Sequence, residues 1–211
     1  MKPTTAIGLI ALLSGLIAAP ALAQGEPSRG VFVTQIGDGS QATVTQENAD
    51  SLAQVVQDGN DNNLELSQTG NAAHRARIVQ NGDGNVVAAT QNGDGSVDLA
   101  LLQEGNGNSV DVVQRENATL AATTAQIVQS GNGNTIALTQ DGSDNTAVLN
   151  QVGDGNTMTA SQLNSGNRLE WSQTGDGLSD LGITQTGGAV AQITQSTTEG
   201  VQFLPPPGAG G

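Results

Sequence analysis

From Val31 to Gln195 apolar and polar residues alternate in short runs, and each run closes on a glutamine. The glutamines are Gln35, Gln46, Gln57, Gln68, Gln80, Gln91, Gln103, Gln114, Gln129, Gln140, Gln151, Gln162, Gln173, Gln185 and Gln195, spaced by 11 or 12 residues apart from one interval of 15 and one of 10. Two residues before each stands an apolar residue, from Val33 and Val44 through Trp171 to Ile183 and Ile193; four before it stands another, from Val31 and Ala42 to Leu181 and Ala191. A period of two is that of a β-strand, so these residues share one face with the glutamine. The positions between them are mostly Thr, Ser, Asn, Gln or charged, and Glu65, Arg75, Arg77, Asp98, Asp111, Arg168, Glu170 and Asp180 all fall on that other face. One face of each strand is core and the other meets solvent.

Six residues before the glutamine, most units carry Asn or Ser: Ser40, Ser51, Asn62, Asn85, Asn108, Asn134, Asn145, Asn156, Asn167 and Ser179. The strand unit therefore reads Asn-x-apolar-x-apolar-x-Gln, followed by a turn of about four residues. Where the spacing is 12, counting back from Gln80, Gln103 and Gln185 keeps the apolar pairs inward, which puts the extra residue in the preceding turn. A slip within a strand would turn its whole apolar set outward.

The turns are of two kinds. After alternate glutamines they are Gly37-Asp38-Gly39, Gly59-Asn60-Asp61, Gly82-Asp83-Gly84, Gly105-Asn106-Gly107, Gly131-Asn132-Gly133, Gly153-Asp154-Gly155 and Gly175-Asp176-Gly177, residue types that tolerate left-handed backbone in a tight reversal. The others are looser, and the longest connection, Arg115 to roughly Ala122, belongs to them. The repeat is thus a strand-turn-strand rung of about 22 residues, seven times over. One rung buries too few apolar side chains to offset the entropy of ordering it, so rungs are stable only when stacked.

The expected fold is all-β: a two-sheet parallel β-solenoid, cross-β in character, of about seven strand-turn-strand rungs over 31–195. In such a stack each glutamine, and each of Asn62, Asn85, Asn108, Asn134, Asn145, Asn156 and Asn167, lies above its counterpart. Amides carry both donors and an acceptor, so these residues can form continuous ladders, within one chain and between chains.

The chain begins with Lys2, an apolar run from about Ala6 to Ala19 and the small-x-small site Ala21-Leu22-Ala23, which reads as a signal peptide over 1–23 rather than a membrane anchor. Its removal takes away the only lysine and moves the formal net charge from −14 to −15. Residues 24–30 read as a short flexible leader and 196–211, ending in Pro205-Pro206-Pro207, as a disordered tail unable to join a sheet. Without cysteine there are no disulfide staples or thiolate metal sites. Two Phe, one Trp and a strongly acidic balance argue against a nucleic-acid partner.

The turn aspartates Asp38, Asp83, Asp94, Asp154 and Asp176 are candidate gatekeepers, like charges whose repulsion opposes premature assembly. Glycine-aspartate turns also suggest calcium-binding nonapeptide repeats, but those need a period of nine with Asp at a fixed place, where Asn106 and Asn132 stand here. An ice- or polysaccharide-binding solenoid would use outward threonines such as Thr135, Thr139, Thr157 and Thr159, in rows that Glu65, Arg77 and Glu170 interrupt. His74, the only histidine, falls in an Asn/Ser ladder slot, and Trp171 falls in a core slot. No catalytic, cofactor or metal residue is expected.

The unit Gln129-Ser130-Gly131-Asn132-Gly133-Asn134-Thr135-Ile136-Ala137-Leu138-Thr139-Gln140 resembles the curlin repeat of bacterial curli subunits, and the resemblance extends from about Val31 to Gln195. It implies a functional amyloid: a subunit secreted through a dedicated outer-membrane pore and polymerised on the cell surface into fibres of the biofilm matrix. The implied partners are further copies of the chain, a nucleator subunit and the secretion pore. The nucleators of that family resemble this chain in their repeats but end in a more basic unit, whereas Gln185 to Gln195 is uncharged here, so the fibre-forming role is favoured.

Overall fold

A computed structural model describes residues 28–198 and 200–204. The segment read as a signal peptide, residues 24–27 of the leader and 205–211 of the tail lie outside these. Among the described residues there is no helix, and fifteen successive strands alternate between two sheets.

One sheet holds β1 (Gly30–Ile36), β3 (Leu52–Asp58), β5 (Arg75–Asn81), β7 (Ser96–Glu104), β9 (Ala122–Ser130), β11 (Thr146–Val152), β13 (Arg168–Thr174) and β15 (Val190–Ser196), stacked in that order. The other holds β2 (Gln41–Gln46), β4 (Asn63–Gly70), β6 (Val86–Gly93), β8 (Ser109–Glu116), β10 (Thr135–Gly142), β12 (Thr157–Leu163) and β14 (Ile183–Thr186). All these neighbours pair in parallel, glutamine against glutamine: Gln57 faces Gln80, Gln80 faces Gln103, and Gln140 faces Gln162. The architecture is the expected two-sheet β-solenoid of about seven turns.

The core is a single narrow cluster in which both apolar rows meet. Ala53, Val55, Leu64, Leu66, Ile78, Leu101, Ile127, Ile136, Leu149 and Met158 are all buried in it. Trp171 is fully buried between Leu149 and Ile193 of the neighbouring rungs, its indole N–H without a partner. The end rungs depart from the pattern: Val31 and Val33 are 46% and 42% exposed, because no described rung stacks on their outer side, and Leu181, Ile183 and Ala191 at the other end are only partly buried.

The tight turns explain their own glycines. A Cβ on Gly131 would stand 2.1 Å from the carbonyl oxygen of Gly153 one rung on, and its φ is +118°. The first glycine of the turn is thus demanded by the close stacking as well as by the backbone. Gly133 has φ +63° with nothing within 4 Å of a Cβ, so only its conformation requires glycine.

Three expectations need correction. The extra residue before Gln185 is not in the turn: Leu178 occupies the backbone place expected for Ser179, its N–H bonded to Asn156 Oδ1 at 2.9 Å, while Ile183 pairs with Ala160. Gly175-Asp176-Gly177 keeps its place on the turn below, and the surplus is taken up between Leu178 and Ile183, where Asp180 Oδ1 accepts from Thr159 N and Gly182 N. At the other end of the chain, Gly30 of the supposed leader already belongs to β1, its N–H bonded to Ser51 O at 2.7 Å, and Arg29 pairs with Asp50 at 3.1 Å.

The third correction concerns the tail. Residues 200–204 form β16 (Gly200–Leu204), which turns back to pair antiparallel with β15. The prolines begin only at 205; before them Val201 and Phe203 restore the strand alternation, and Gly200 makes the reversal with φ +72°.

Candidate functional site: side-chain ladders along the stack

Strand alternation aims every glutamine into the core and parallel in-register pairing sets it one rung from the next, so the amides can meet only along the stack. In the odd-numbered sheet Gln35 Nε2 donates to Gln57 Oε1 (2.6 Å), Gln57 to Gln80 (2.8 Å), Gln80 to Gln103 (3.0 Å), Gln103 to Gln129 (2.9 Å), Gln129 to Gln151 (2.9 Å), Gln151 to Gln173 (2.8 Å) and Gln173 to Gln195 (2.9 Å). In the even-numbered sheet the bonds run Gln46 to Gln68 (2.5 Å), Gln68 to Gln91 (2.7 Å), Gln91 to Gln114 (3.3 Å), Gln114 to Gln140 (2.9 Å), Gln140 to Gln162 (2.7 Å) and Gln162 to Gln185 (2.8 Å). Neither row is broken among the described residues.

The second amide hydrogen ties the two sheets together. Gln140 Nε2 also reaches Thr124 O (3.0 Å), Gln151 reaches Thr135 O (3.1 Å) and Gln162 reaches Thr146 O (2.9 Å), each a carbonyl at the start of the preceding strand. Amides with no exposure to water thereby satisfy donors and acceptor within an apolar core, where leaving them unpaired would be costly.

The asparagine row is best developed beside the even-numbered sheet. Asn85 N, Asn108 N, Asn134 N and Asn156 N each donate to the Oδ1 of the asparagine one rung earlier, Asn62, Asn85, Asn108 and Asn134, at 2.9–3.0 Å. The Nδ2 groups of Asn62, Asn85, Asn108 and Asn134 reach forward to the carbonyls of Gly82, Gly105, Gly131 and Gly153 at 2.7–2.9 Å, gripping the next tight turn. Beside the odd-numbered sheet the equivalent places hold Ser51, His74, Val97 and Thr123 before Asn145 and Asn167 continue the row. His74 is fully buried with its Nε2 donating to Thr69 O at 2.8 Å, a ladder member in an inaccessible slot.

A third column was not anticipated. The middle residues of the tight turns stack as well: Asp38 N donates to Asn60 Oδ1, Asn60 N to Asp83, Asp83 N to Asn106, Asn106 N to Asn132, Asn132 N to Asp154 and Asp154 N to Asp176, all within 2.7–3.0 Å. Every middle position is Asp or Asn, a regularity visible in the sequence but read there as turn propensity and, for the aspartates, as mutual repulsion. Of the aspartates proposed as gatekeepers, Asp38, Asp83, Asp154 and Asp176 share this column. Asparagines separate all but Asp154 and Asp176, and Asp94 lies in the opposite set of turns, where it accepts from Asn71 Nδ2 at 2.6 Å.

Glu116 was also missed. At the mouth of the longest connection it is fully buried, its carboxylate accepting from Ala118 N (2.9 Å), Thr123 Oγ1 (3.0 Å) and Asp144 N (2.9 Å). One carboxylate therefore holds its own loop and fastens it to the turn of the following rung.

The family model of the Curlin associated repeat matches residues 123–153 and 131–163. No curated protein and no solved structure matches the chain. The matched segment covers β10, β11 and β12 and most of β9, and the glutamine rows within it run on in the same register to Gln35 and Gln195. The sequence match and the geometry agree: residues 123–163 carry the Curlin associated repeat, and the strands on either side repeat its register.

Proposed function

We propose that this chain is a structural subunit that polymerises into a curli-like extracellular amyloid fibre, in the fibre-forming rather than the nucleating role. The observation that carries the reading is the uninterrupted pair of glutamine ladders, which run to the last rung at both ends. Among the described residues β1, β2 and β14 have unpaired outer edges, and such edges can accept another chain by the interactions that hold the solenoid itself together.

The N-terminal edge supports that reading. β1 presents Val31, Phe32, Val33 and Ile36 at 42–56% exposure, residues whose rows are otherwise built for a neighbour on each side. The last unit keeps its place in both ladders through Gln185 and Gln195, as a subunit that must pass the stack onward requires. In this reading residues 1–23 direct export, the outer-membrane curli pore delivers the chain to the cell surface, a nucleator subunit starts the fibre, and the product serves the biofilm matrix and surface adhesion.

The test is to incubate the purified chain lacking residues 1–23 without seed and examine it by electron microscopy and fibre diffraction. Unbranched fibres with a meridional reflection near 4.8 Å are expected. A persistent monomer would overturn the proposal.

A further inference from the structure

The odd-numbered sheet does not end as it runs. Each of its solenoid pairs is parallel, yet β16 lies antiparallel along β15, with Phe203 opposite Ile193 and Val201 opposite Gln195. This strand extends the apolar row but sets a valine where the next glutamine of the ladder would stand. Gln195 Nε2 keeps the bond between the sheets, to Ser179 O at 2.9 Å, and meets no further glutamine along the ladder. Among the described residues the even-numbered sheet has no such cover: β14 pairs with β12 alone.

We propose that β16 is a detachable cap, which β1 of a second copy of this chain replaces when two subunits join. The inference rests on the fibre reading above. β1 sits on β3 in the phase in which β13 sits on β15: Val31 meets Ala53 as Leu169 meets Ala191, Val33 meets Val55 as Trp171 meets Ile193, and Gln35 meets Gln57 as Gln173 meets Gln195. Laid on the outer edge of β15 in that phase, a second β1 brings Val31 beside Ala191 and Val33 beside Ile193. Its Gln35 Oε1 then meets Gln195 Nε2.

The incoming strand pairs over seven residues and sets an amide opposite Gln195, while β16 pairs over five and sets Val201 there. The cap keeps the edge from pairing indiscriminately and is displaced by the one strand that continues the ladder. Because every junction joins a β15 edge to a β1 edge, β16 must leave whichever end of the fibre grows.

Thr194 and Gln202 stand directly opposite each other across the β15–β16 pair, and the chain has no cysteine. In the full chain carrying Thr194→Cys and Gln202→Cys, oxidation fastens the cap and reduction frees it. Seeded elongation, followed by thioflavin fluorescence, is expected to run at least about tenfold slower oxidised than reduced. The loosened cap of Val201→Gly with Phe203→Gly is expected to shorten the unseeded lag severalfold. Equal elongation rates in the two redox states, or an unchanged lag in the glycine variant, would overturn the cap while leaving the fibre reading standing. Failure of the unsubstituted chain to form fibres would sink the fibre reading itself, and the cap with it.

Discussion

Replacing Gln140 with alanine removes the side chain at the middle of the even-numbered ladder. Gln140 is fully buried and takes part in three hydrogen bonds: one received from Gln114 (2.9 Å), one given to Gln162 (2.7 Å) and one given to Thr124 O (3.0 Å). At about 1 kcal/mol net for each bond, with roughly another 1 kcal/mol for leaving Gln162 Oε1 buried without a donor, the cost is about 4 kcal/mol before any loss of packing. Gln35, exposed at the first rung, makes one such bond, to Gln57, and its replacement by alanine should cost about 1 kcal/mol or less. The two variants should therefore differ by about 3 kcal/mol, more than a hundredfold in the unfolding equilibrium. Guanidinium melts of the monomer measure this, with the single, fully buried Trp171 as the fluorescent reporter. Equal costs for the two variants would refute the argument. So would a Gln140→Leu variant as stable as the parent, since leucine refills the space without restoring the bonds.

Other substitutions probe the turns and the long loop. Gly131→Ala, whose Cβ would meet a carbonyl oxygen at 2.1 Å, should cost several times as much stability as Gly133→Ala, which adds only backbone strain of about 1 kcal/mol, in the same melts. Glu116→Ala leaves three donors unpaired and should open 117–121 to limited proteolysis near the fully exposed Leu120 while β2 to β6 keep their hydrogen-exchange protection. Raising salt from about 0.01 M to 0.15 M shortens the screening length from about 30 Å to 8 Å, and should shorten the assembly lag if the acidic turn column opposes docking; a lag independent of salt would remove the gatekeeper role.

The core was legible in the sequence because one rule repeated fifteen times leaves little freedom: the residues two and four before each glutamine must face inward wherever that glutamine does. The same rule assigned Trp171 to the core and His74 to a ladder slot. It failed where the chain is locally aperiodic. The surplus residue before Gln185 could sit in the turn or between Leu178 and Ile183, and counting from either end does not choose between them; the choice follows from the stacking of Gly175 on Gly153. Glu116 stands two residues after Gln114 and so shares its inward face, but the alternation does not tell which donors of the loop will meet a carboxylate there. The β16 cap was missed because the prolines drew attention from Val201 and Phe203 immediately before them. Turn propensity and repulsion between stacked aspartates left out what the column does: asparagines are interleaved, and each Oδ1 accepts from the backbone N–H one rung earlier.

The two glutamine columns share one direction: each Nε2 donates toward the rung that follows in the chain. Two copies related by a twofold axis would bring the Gln35 and Gln46 oxygens against their own equivalents, acceptor facing acceptor. Donors meet acceptors only when the tail of one copy adjoins the head of the next. Such a contact is heterologous, and since its operator advances along the stack rather than rotating back on itself, it has no closed symmetry. An assembly built on that contact would be neither a dimer nor a ring and would have no fixed copy number. Its two ends are chemically different, and its length is set by the supply of subunits.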